Sequence, residues 1–329
     1  MSQILEASPI SQTAPAGPLA GLAERIGRWA PQEGRNASPW PGLTFFRASR
    51  PSVRIPVVYE PCLCFVAQGK KRAFLGGRAY TYDPQNYLVL SVPLPIESEI
   101  LEASPQEPFL SLALRIDVAE VSDLLLEMAA AEPRPARSQP AQPGIFVSRM
   151  HDPLAGVVLR FLDALEDSMD RRILAPLAVR EILYHVLAGE QGGLLRAVAL
   201  HDGRSHRIAH VLRYLNAHYD QPLDISSIAN AAYMSPSTLH HTFKAVTSVS
   251  PLQYLKRIRL HQARLLMLHD GLSAGEVAHR VGYESPSQFS REFKRLFGVA
   301  PTQEVQRLRR QGVDWLARER PSRTGLYSS

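Results

Sequence analysis

Two kinds of apolar spacing follow one another along the chain. Between residues 43 and 116 the apolar residues come in short runs, at 43–47, 62–68, 73–75, 87–92, 96–101 and 109–116. Turn material separates them, at Gln68-Gly69-Lys70, Gly76-Gly77 and Asp83-Pro84. Short, closely spaced strands predict a small barrel or jelly roll. After Asp117 the spacing becomes helical. A helix is expected over 118–131, an exposed Pro-rich loop over 132–144, and helices over about 152–165 and 173–188. Leu154, Val158, Phe161, Leu162 and Leu165, then Leu177, Ile182, Leu183 and Val186, mark the apolar faces of the last two. Such a pair either covers a core or forms a dimer surface. Gln191-Gly192-Gly193 is expected to end the second helix, and His201-Asp202-Gly203 to form the linker into a separate C-terminal domain.

The last hundred or so residues contain one stretch twice. Tyr233-Met234-Ser235-Pro236-Ser237 returns 50 residues later as Tyr283-Glu284-Ser285-Pro286-Ser287. At the same offset Leu239 meets Phe289, Phe243 meets Phe293, Lys244 meets Lys294 and Pro251 meets Pro301, while Ile228 and Ala232 fall on Ala278 and Gly282. Each copy reads as helix, turn, helix. Ser235 and Ser285 suit the N-cap, and Pro236 and Pro286 suit the first helical position, where a missing N–H costs nothing. Leu239, Phe243 and Val246 then point inward, as do Phe289, Phe293 and Leu296. Ser237, Thr238, His240, His241 and Lys244 are left outward in the first copy, and Ser287, Gln288, Ser290, Arg291 and Lys294 in the second. Capped second helices with short polar outer faces are what a helix-turn-helix places in the major groove of DNA. Ile208, Val211, Leu212 and Leu215 form the inner face of a leading helix. A helix over 252–268 would join the copies and space them by roughly 25 Å.

Charge sharpens this division. From Arg204 onward there are 18 Lys and Arg against 9 Asp and Glu, whereas residues 1–203 hold 19 against 22. The basic end is the end with the repeat, as a phosphate backbone requires, although solvated helix faces also carry such charge. Two cysteines exclude a disulfide framework and leave a reducing, cytoplasmic setting as the expectation. Nothing at the N-terminus resembles a secretion signal, so none is expected, and no run reads as long and apolar enough to span a bilayer. The first 18 residues read as a disordered tail, ahead of an amphipathic piece at 19–29.

These features resemble the AraC/XylS family of bacterial transcription regulators. The second copy carries the family's run Ala278, Gly282-Tyr283, Ser285, Phe289-Ser290-Arg291, Phe293-Lys294, Phe297-Gly298 and Pro301. Val58-Tyr59-Glu60-Pro61, Gln68-Gly69-Lys70, Tyr82-Asp83-Pro84, Ser91-Val92-Pro93-Leu94-Pro95 and Glu102-Ala103-Ser104 resemble one branch of its sensor domains. The resemblance implies an α+β multidomain chain. Residues 1–36 are mostly a tail, and 37–203 a cupin-like β-barrel with following helices that often dimerise. Residues 204–310 are an all-α DNA-binding domain of two helix-turn-helix modules, and 311–329 a second tail. It also implies promoter DNA and RNA polymerase as partners, a small-molecule or electrophile effector, and base-reading roles for the ten outward residues, with Lys244 and Lys294 nearer phosphate. Arg291 can bind guanine in bidentate fashion. His240 and His241 stand where relatives often have longer side chains, which implies weaker or pH-dependent contacts.

Tyr59, Glu60, Cys62 and Cys64 are the candidate effector residues. Cys62 and Cys64, two apart on a strand, share one face. They are either plain core residues or, if that face lines the barrel, a sensor of oxidant or electrophile. Lys70 and Arg72 are the nearest charges in sequence. His206 and His210 have a chelating spacing but no further ligand at a suggestive distance, and adjacent His240 and His241 diverge around their helix. A cupin-type metalloenzyme needs histidines within the barrel, and the first histidine is His151. An alkylation-repair protein of related architecture needs four cysteines for zinc. No enzyme activity, cofactor or metal is therefore expected. A regulator indifferent to effectors is the alternative.

Overall fold

The computed structural model describes residues 18–131, 143–199 and 204–310. The expected tail up to residue 17, most of the Pro-rich loop, the 201–203 linker and the end of the chain lie outside them. Helix α1 (Pro18–Trp29) opens the fold, followed by nine strands: β1 (Gly34–Ala37), β2 (Leu43–Ala48), β3 (Ile55–Tyr59), β4 (Cys62–Gln68), β5 (Lys70–Leu75), β6 (Arg78–Tyr82), β7 (Asn86–Leu90), β8 (Leu94–Glu102) and β9 (Phe109–Arg115). Then come α2 (Val118–Ala131), β10 (Ile145–Arg149), α3 (Asp152–Ala164), α4 (Ser168–Ala188) and α5 (Gly192–Ala199). One sheet runs β1-β2-β9-β4-β7-β10 and the other β3-β8-β5-β6, with every pairing antiparallel.

Alternation along β4 divides the two cores. Cys62, Cys64 and Val66 face the space between the sheets, with Leu88, Leu90, Ile96 and Tyr82. Leu63, Phe65 and Ala67 face the helices that cover the larger sheet. There Leu22 and Ile26 of α1 pack with Leu154, Val158, Phe161 and Ile182, so the amphipathic piece and β1 belong to the barrel's body. Strands β1, β3, β6 and β10 were not expected from the sequence: each has five residues or fewer, β3 contains Pro56, and β6 is exposed at three of its five positions.

Two helical expectations need correction. Leu177 is 61% exposed rather than inward, in line with Met169, Ile173 and Tyr184 along α4. Gly192 and Gly193 start α5 instead of ending α4, which stops at Ala188. A Cβ on Gly192 would stand 2.0 Å from the Leu187 carbonyl oxygen, so the glycine permits this tight re-entry.

The rest is helical: α6 (Arg204–Ala217), α7 (Ile225–Ala231), α8 (Pro236–Thr247), α9 (Pro251–His269), α10 (Ala274–Arg280), α11 (Pro286–Phe297) and α12 (Pro301–Arg310). Their core of Leu212, Phe243, Tyr254, Ile258, Phe289 and Phe293 runs without a break into the apolar space between the barrel's sheets. Specific bonds fix the junction. The Gly144 N–H donates to the Val246 carbonyl (3.0 Å), the Tyr254 hydroxyl to that of Pro93 (3.1 Å), and the Arg264 guanidinium to that of Pro56 (2.9 Å).

Candidate nucleic-acid interface and the barrel interior

The two modules are built by the same local chemistry. Asp224 and Ser273 cap α7 and α10 with reciprocal capping boxes. Ser235 and Ser285 accept from the N–H of Thr238 and Gln288, each at 3.3 Å, and a proline occupies the first turn of α8 and α11. Both helices end on a left-handed residue, Ser248 (φ 62°) and Gly298 (φ 82°), whose N–H closes on the carbonyl four residues back. Pairs of equivalent residues on α8 and α11 are 50 apart, as the repeat predicts.

The leading helices do not keep that offset. Their caps, Asp224 and Ser273, are 49 apart, as are their left-handed turn residues, Tyr233 (φ 52°) and Gly282 (φ 85°). Ala229 and Ala278 accept equivalent turn bonds from Met234 and Tyr283. The pairing of Ile228 with Ala278 and of Ala232 with Gly282 is therefore one residue out, because the second turn is one residue longer. The extra residue is Glu284: Tyr283 takes the place of Met234 and is buried, whereas Tyr233, the counterpart of Gly282, is 91% exposed. Gly282 is required for closeness as well as for φ, since a Cβ there would stand 2.8 Å from the Asp220 carbonyl oxygen.

All the reading positions expected on α8 are exposed: Ser237, Thr238, His240, His241 and Lys244. Thr238 and Ser237 are also tied to Ser235, by hydroxyl contacts of 2.8 and 3.3 Å. On α11, Ser287, Gln288, Arg291 and Lys294 are exposed and Ser290 is half-buried. Gln288 donates to Glu292 (3.2 Å), which also accepts from Tyr283 (2.8 Å) and pairs with Lys256 of α9 (2.8 Å). Burial pushes the Glu292 carboxyl up, but these three donors together hold it below its ordinary value. This carboxylate locks α11 to the turn and to α9, a positioning role that sequence reasoning missed. The signal was a lone Glu among the outward polar residues of one repeat copy. Arg259 adds a second brace, donating to the Tyr219 and Gln221 carbonyls, each at 2.7 Å.

In the barrel, Cys62 and Cys64 lie on one face, as their spacing predicts, and that face is interior. Their Sγ atoms are 3.6 Å apart. Tyr59 approaches them from β3, and Glu60 is exposed just beyond that strand. The charge that reaches the thiols is neither Lys70 nor Arg72. Those alternate outward to Glu102 (2.7 Å) and Glu99 (3.4 Å). Lys71 points inward with Ala73 and Leu75, and its ammonium donates to the Tyr59 hydroxyl at 3.0 Å. Among the described residues no group of three or more His, Cys, Asp or Glu is placed to hold a metal ion. No helix among them is long and apolar enough to cross a membrane.

The comparisons agree with this architecture. Residues 39–194 match the family described as "AraC-type transcriptional regulator N-terminus", and residues 228–307 the family described as "Helix-turn-helix domain". Over 129 residues the chain is 33% identical to the HTH-type transcriptional activator RhaS of Citrobacter koseri, covering 38% of this chain and 45% of that one. A RhaS of Salmonella schwarzengrund is 32% identical over 120 residues, covering 36% and 41%. The chain thus spans a little under half the length of these curated relatives. ToxT from Vibrio cholerae O395 superposes with a TM-score of 0.52 at 12% identity, over 80% of this chain and 96% of that one. An unsaturated-fatty-acid-bound ToxT gives 0.53 at 12% identity, over 83% and 97%, a likeness of fold. With both halves matched in the expected order, the chain belongs to the AraC/XylS family of transcriptional regulators.

Proposed function

We propose that this chain is a sequence-specific regulator that reads two adjacent major grooves of an asymmetric promoter site, α8 in one and α11 in the next. One observation carries the reading. Two helices with the same caps present polar N-terminal halves to solvent, on either side of a 19-residue helix. That helix is about 28 Å long, of the order of the roughly 34 Å between grooves one turn apart. Ser237, Thr238, His240, His241, Ser287, Gln288, Ser290 and Arg291 face base edges in this reading. Lys244 and Lys294 lie nearer phosphate.

The barrel is the sensor, and its effector shifts the population between placements of the barrel against the DNA-binding half. ToxT, which shares the fold, is known with an unsaturated fatty acid bound. That precedent supports a small-molecule effector here, with Tyr59, Cys62 and Cys64 inside the barrel and Glu60 at its rim. The chain works in the cytoplasm without enzymatic activity or a cofactor, and RNA polymerase is its partner at the promoter. Self-association uses the exposed apolar line of α4, and sedimentation of Leu177→Glu against wild type tests that part.

Selection of bound fragments from random DNA by the full chain, followed by footprinting, tests the whole. Two protected grooves one turn apart are expected. In Arg291→Ala one base position should lose about 1–3 kcal/mol of discrimination. A footprint confined to one groove, or Arg291→Ala specificity equal to wild type, rejects the assignment.

A further inference from the structure

Inside the barrel sits a group of side chains that DNA binding does not use. Cys62 and Cys64 project from the larger sheet, with Lys71 and Tyr59 facing them from the smaller one. The Lys71 ammonium lies 5.3, 5.7 and 5.8 Å from the ring centres of Phe46, Tyr59 and Phe109. Its neighbours on β5 are paired with carboxylates, but the groups acting on Lys71 itself are Tyr59, Cys64 and Cys62. A cation kept inside a fold normally has an anionic partner, and among the groups acting on Lys71 a thiolate would supply one.

The backbone decides what that thiolate can do. Residues two apart on an extended strand have Cα atoms about 6.6 Å apart, near the upper limit for a disulfide, whose Cβ atoms must approach to about 3.8 Å. Strand β4 is bonded to β9 on one side and β7 on the other across both cysteines. Closing the pair would tear it from that register. The chemistry left open is addition at a single sulfur.

We infer that Cys64 is a covalent modification site for α,β-unsaturated carbonyl compounds, with Lys71 and Tyr59 positioning the carbonyl oxygen. The Cys64 sulfur adds to the β-carbon, forming the sulfur–carbon bond as the carbon–carbon π bond breaks. The displaced electron pair moves toward the carbonyl oxygen, which accepts hydrogen bonds from the Lys71 ammonium and the Tyr59 hydroxyl. The α-carbon then takes a proton from water, balancing the one the thiol released, and nothing is oxidised or reduced. Phe46 and Phe109 supply apolar walls for the carbon skeleton.

The division of labour between the sulfurs comes from their distance to the lysine and tyrosine, since either sulfur can donate in their 3.6 Å contact. Lys71 and Tyr59 each interact more strongly with Cys64 than with Cys62. The sulfur nearer the ammonium is the one whose thiolate it favours. Burial pulls the Lys71 ammonium down, but Tyr59 and the thiols more than offset it and keep it charged. Lys71 and Tyr59, both half-buried, are the members of the group that solvent reaches.

This inference rests on reading the barrel as the sensor, but the adduct is detected by mass whether or not DNA binding responds, so the two can fail separately. The native full chain is treated with N-ethylmaleimide, or with iodoacetamide as an alkylating control lacking a conjugated carbonyl, and the labelled peptides are mapped over time. Cys64 should take maleimide about tenfold faster than Cys62. Lys71→Met should cut the ratio of maleimide to iodoacetamide rates by at least about threefold, and Lys71→Arg should keep it within about twofold of wild type. Faster labelling of Cys62, or of neither thiol until urea is added, overturns the proposal in wild type alone. A ratio unchanged in Lys71→Met, or lost in Lys71→Arg, overturns the carbonyl-positioning role.

Discussion

Arg264 is the side chain whose removal tests the architecture most severely. It lies on α9 at 2% exposure, with Nη1 3.6 Å from Glu304 Oε1, Nη2 donating to the Pro56 carbonyl, and its guanidinium carbon 4.7 Å from the centre of the Phe297 ring. Glu304 is fully buried, and its other oxygen meets Arg307 at 2.7 Å. Arg264→Met keeps the aliphatic stem and removes the charge. The bond to Pro56, a charge-assisted one, is worth about 1.5–3 kcal/mol. Loss of one of the two cations holding a buried carboxylate adds to this, for a total of about 3–5 kcal/mol. In Arg264→Met/Glu304→Met no buried charge is left behind, because the Arg307 side chain is 34% exposed and can turn to water. The double variant should therefore be about 1–3 kcal/mol more stable than the two single losses added together. Urea unfolding of the full chain measures all four corners of the cycle. Amide exchange in β3 separately reports whether the barrel has loosened. Strict additivity, or a single variant within about 0.5 kcal/mol of wild type, would refute a buried ion cluster bridging the two halves.

Other expectations rest on the same kind of contact. Lys294→Ala should weaken all DNA sequences about equally and reduce the salt dependence of binding by about one ion; a loss confined to one base position would contradict a phosphate role. Tyr233→Gly should stabilise the chain by about 1 kcal/mol by relieving a left-handed backbone, seen as a higher urea midpoint, and no gain would dispute the turn geometry. Burial, with Arg264 and Arg257 adding to it, holds the His261 imidazole well below its ordinary value, so it is neutral in the folded chain. The unfolded chain takes up that proton below about pH 6.5, so stability falls as pH drops from there and stops falling below the folded value. His261→Phe should lose less stability than wild type between pH 7 and pH 5.5, and equal losses would show that another group governs the slope. Gly76→Val should disturb the junction, since a Cβ there stands 2.4 Å from that of Ser248 and the backbone is at φ 58°; unchanged protease resistance there would argue against that contact.

Most of the architecture was written in short-range patterns. Strand alternation placed both thiols on one face, and Ser-Pro pairs located α8 and α11. What escaped depends on distant partners. Lys71 looked no different from Lys70 or Arg72, and only the pairing of β5 with β8 and β6 shows which of the three turns inward. The repeat was clear at 50 residues because the Ser-Pro starts are conspicuous, yet it hid the slip to 49. Asp224 and Ser273 carry that signal as a pair of caps, but the two tyrosines aligned at 50 mask it. Leu177 has helical spacing with buried neighbours, and spacing alone does not say which side of α4 meets the barrel. Glu292 and Glu304 are both acidic residues in a basic domain. One braces α11 and the other pairs with the buried Arg264, roles fixed by what α9 brings beside them.

Helix α8 is grasped from behind. Its last residues, Val246 to Ser248, receive the Gly144 amide and lie under the β5–β6 hairpin, while its first turns stay open to solvent. On the proposed reading, the contact with the sensor and the contact with DNA therefore occupy opposite ends of a rod only 12 residues long. A genetic screen should recover two separate sets of alleles in it. Changes near the start would alter which promoters respond, and changes near the finish would alter when they do.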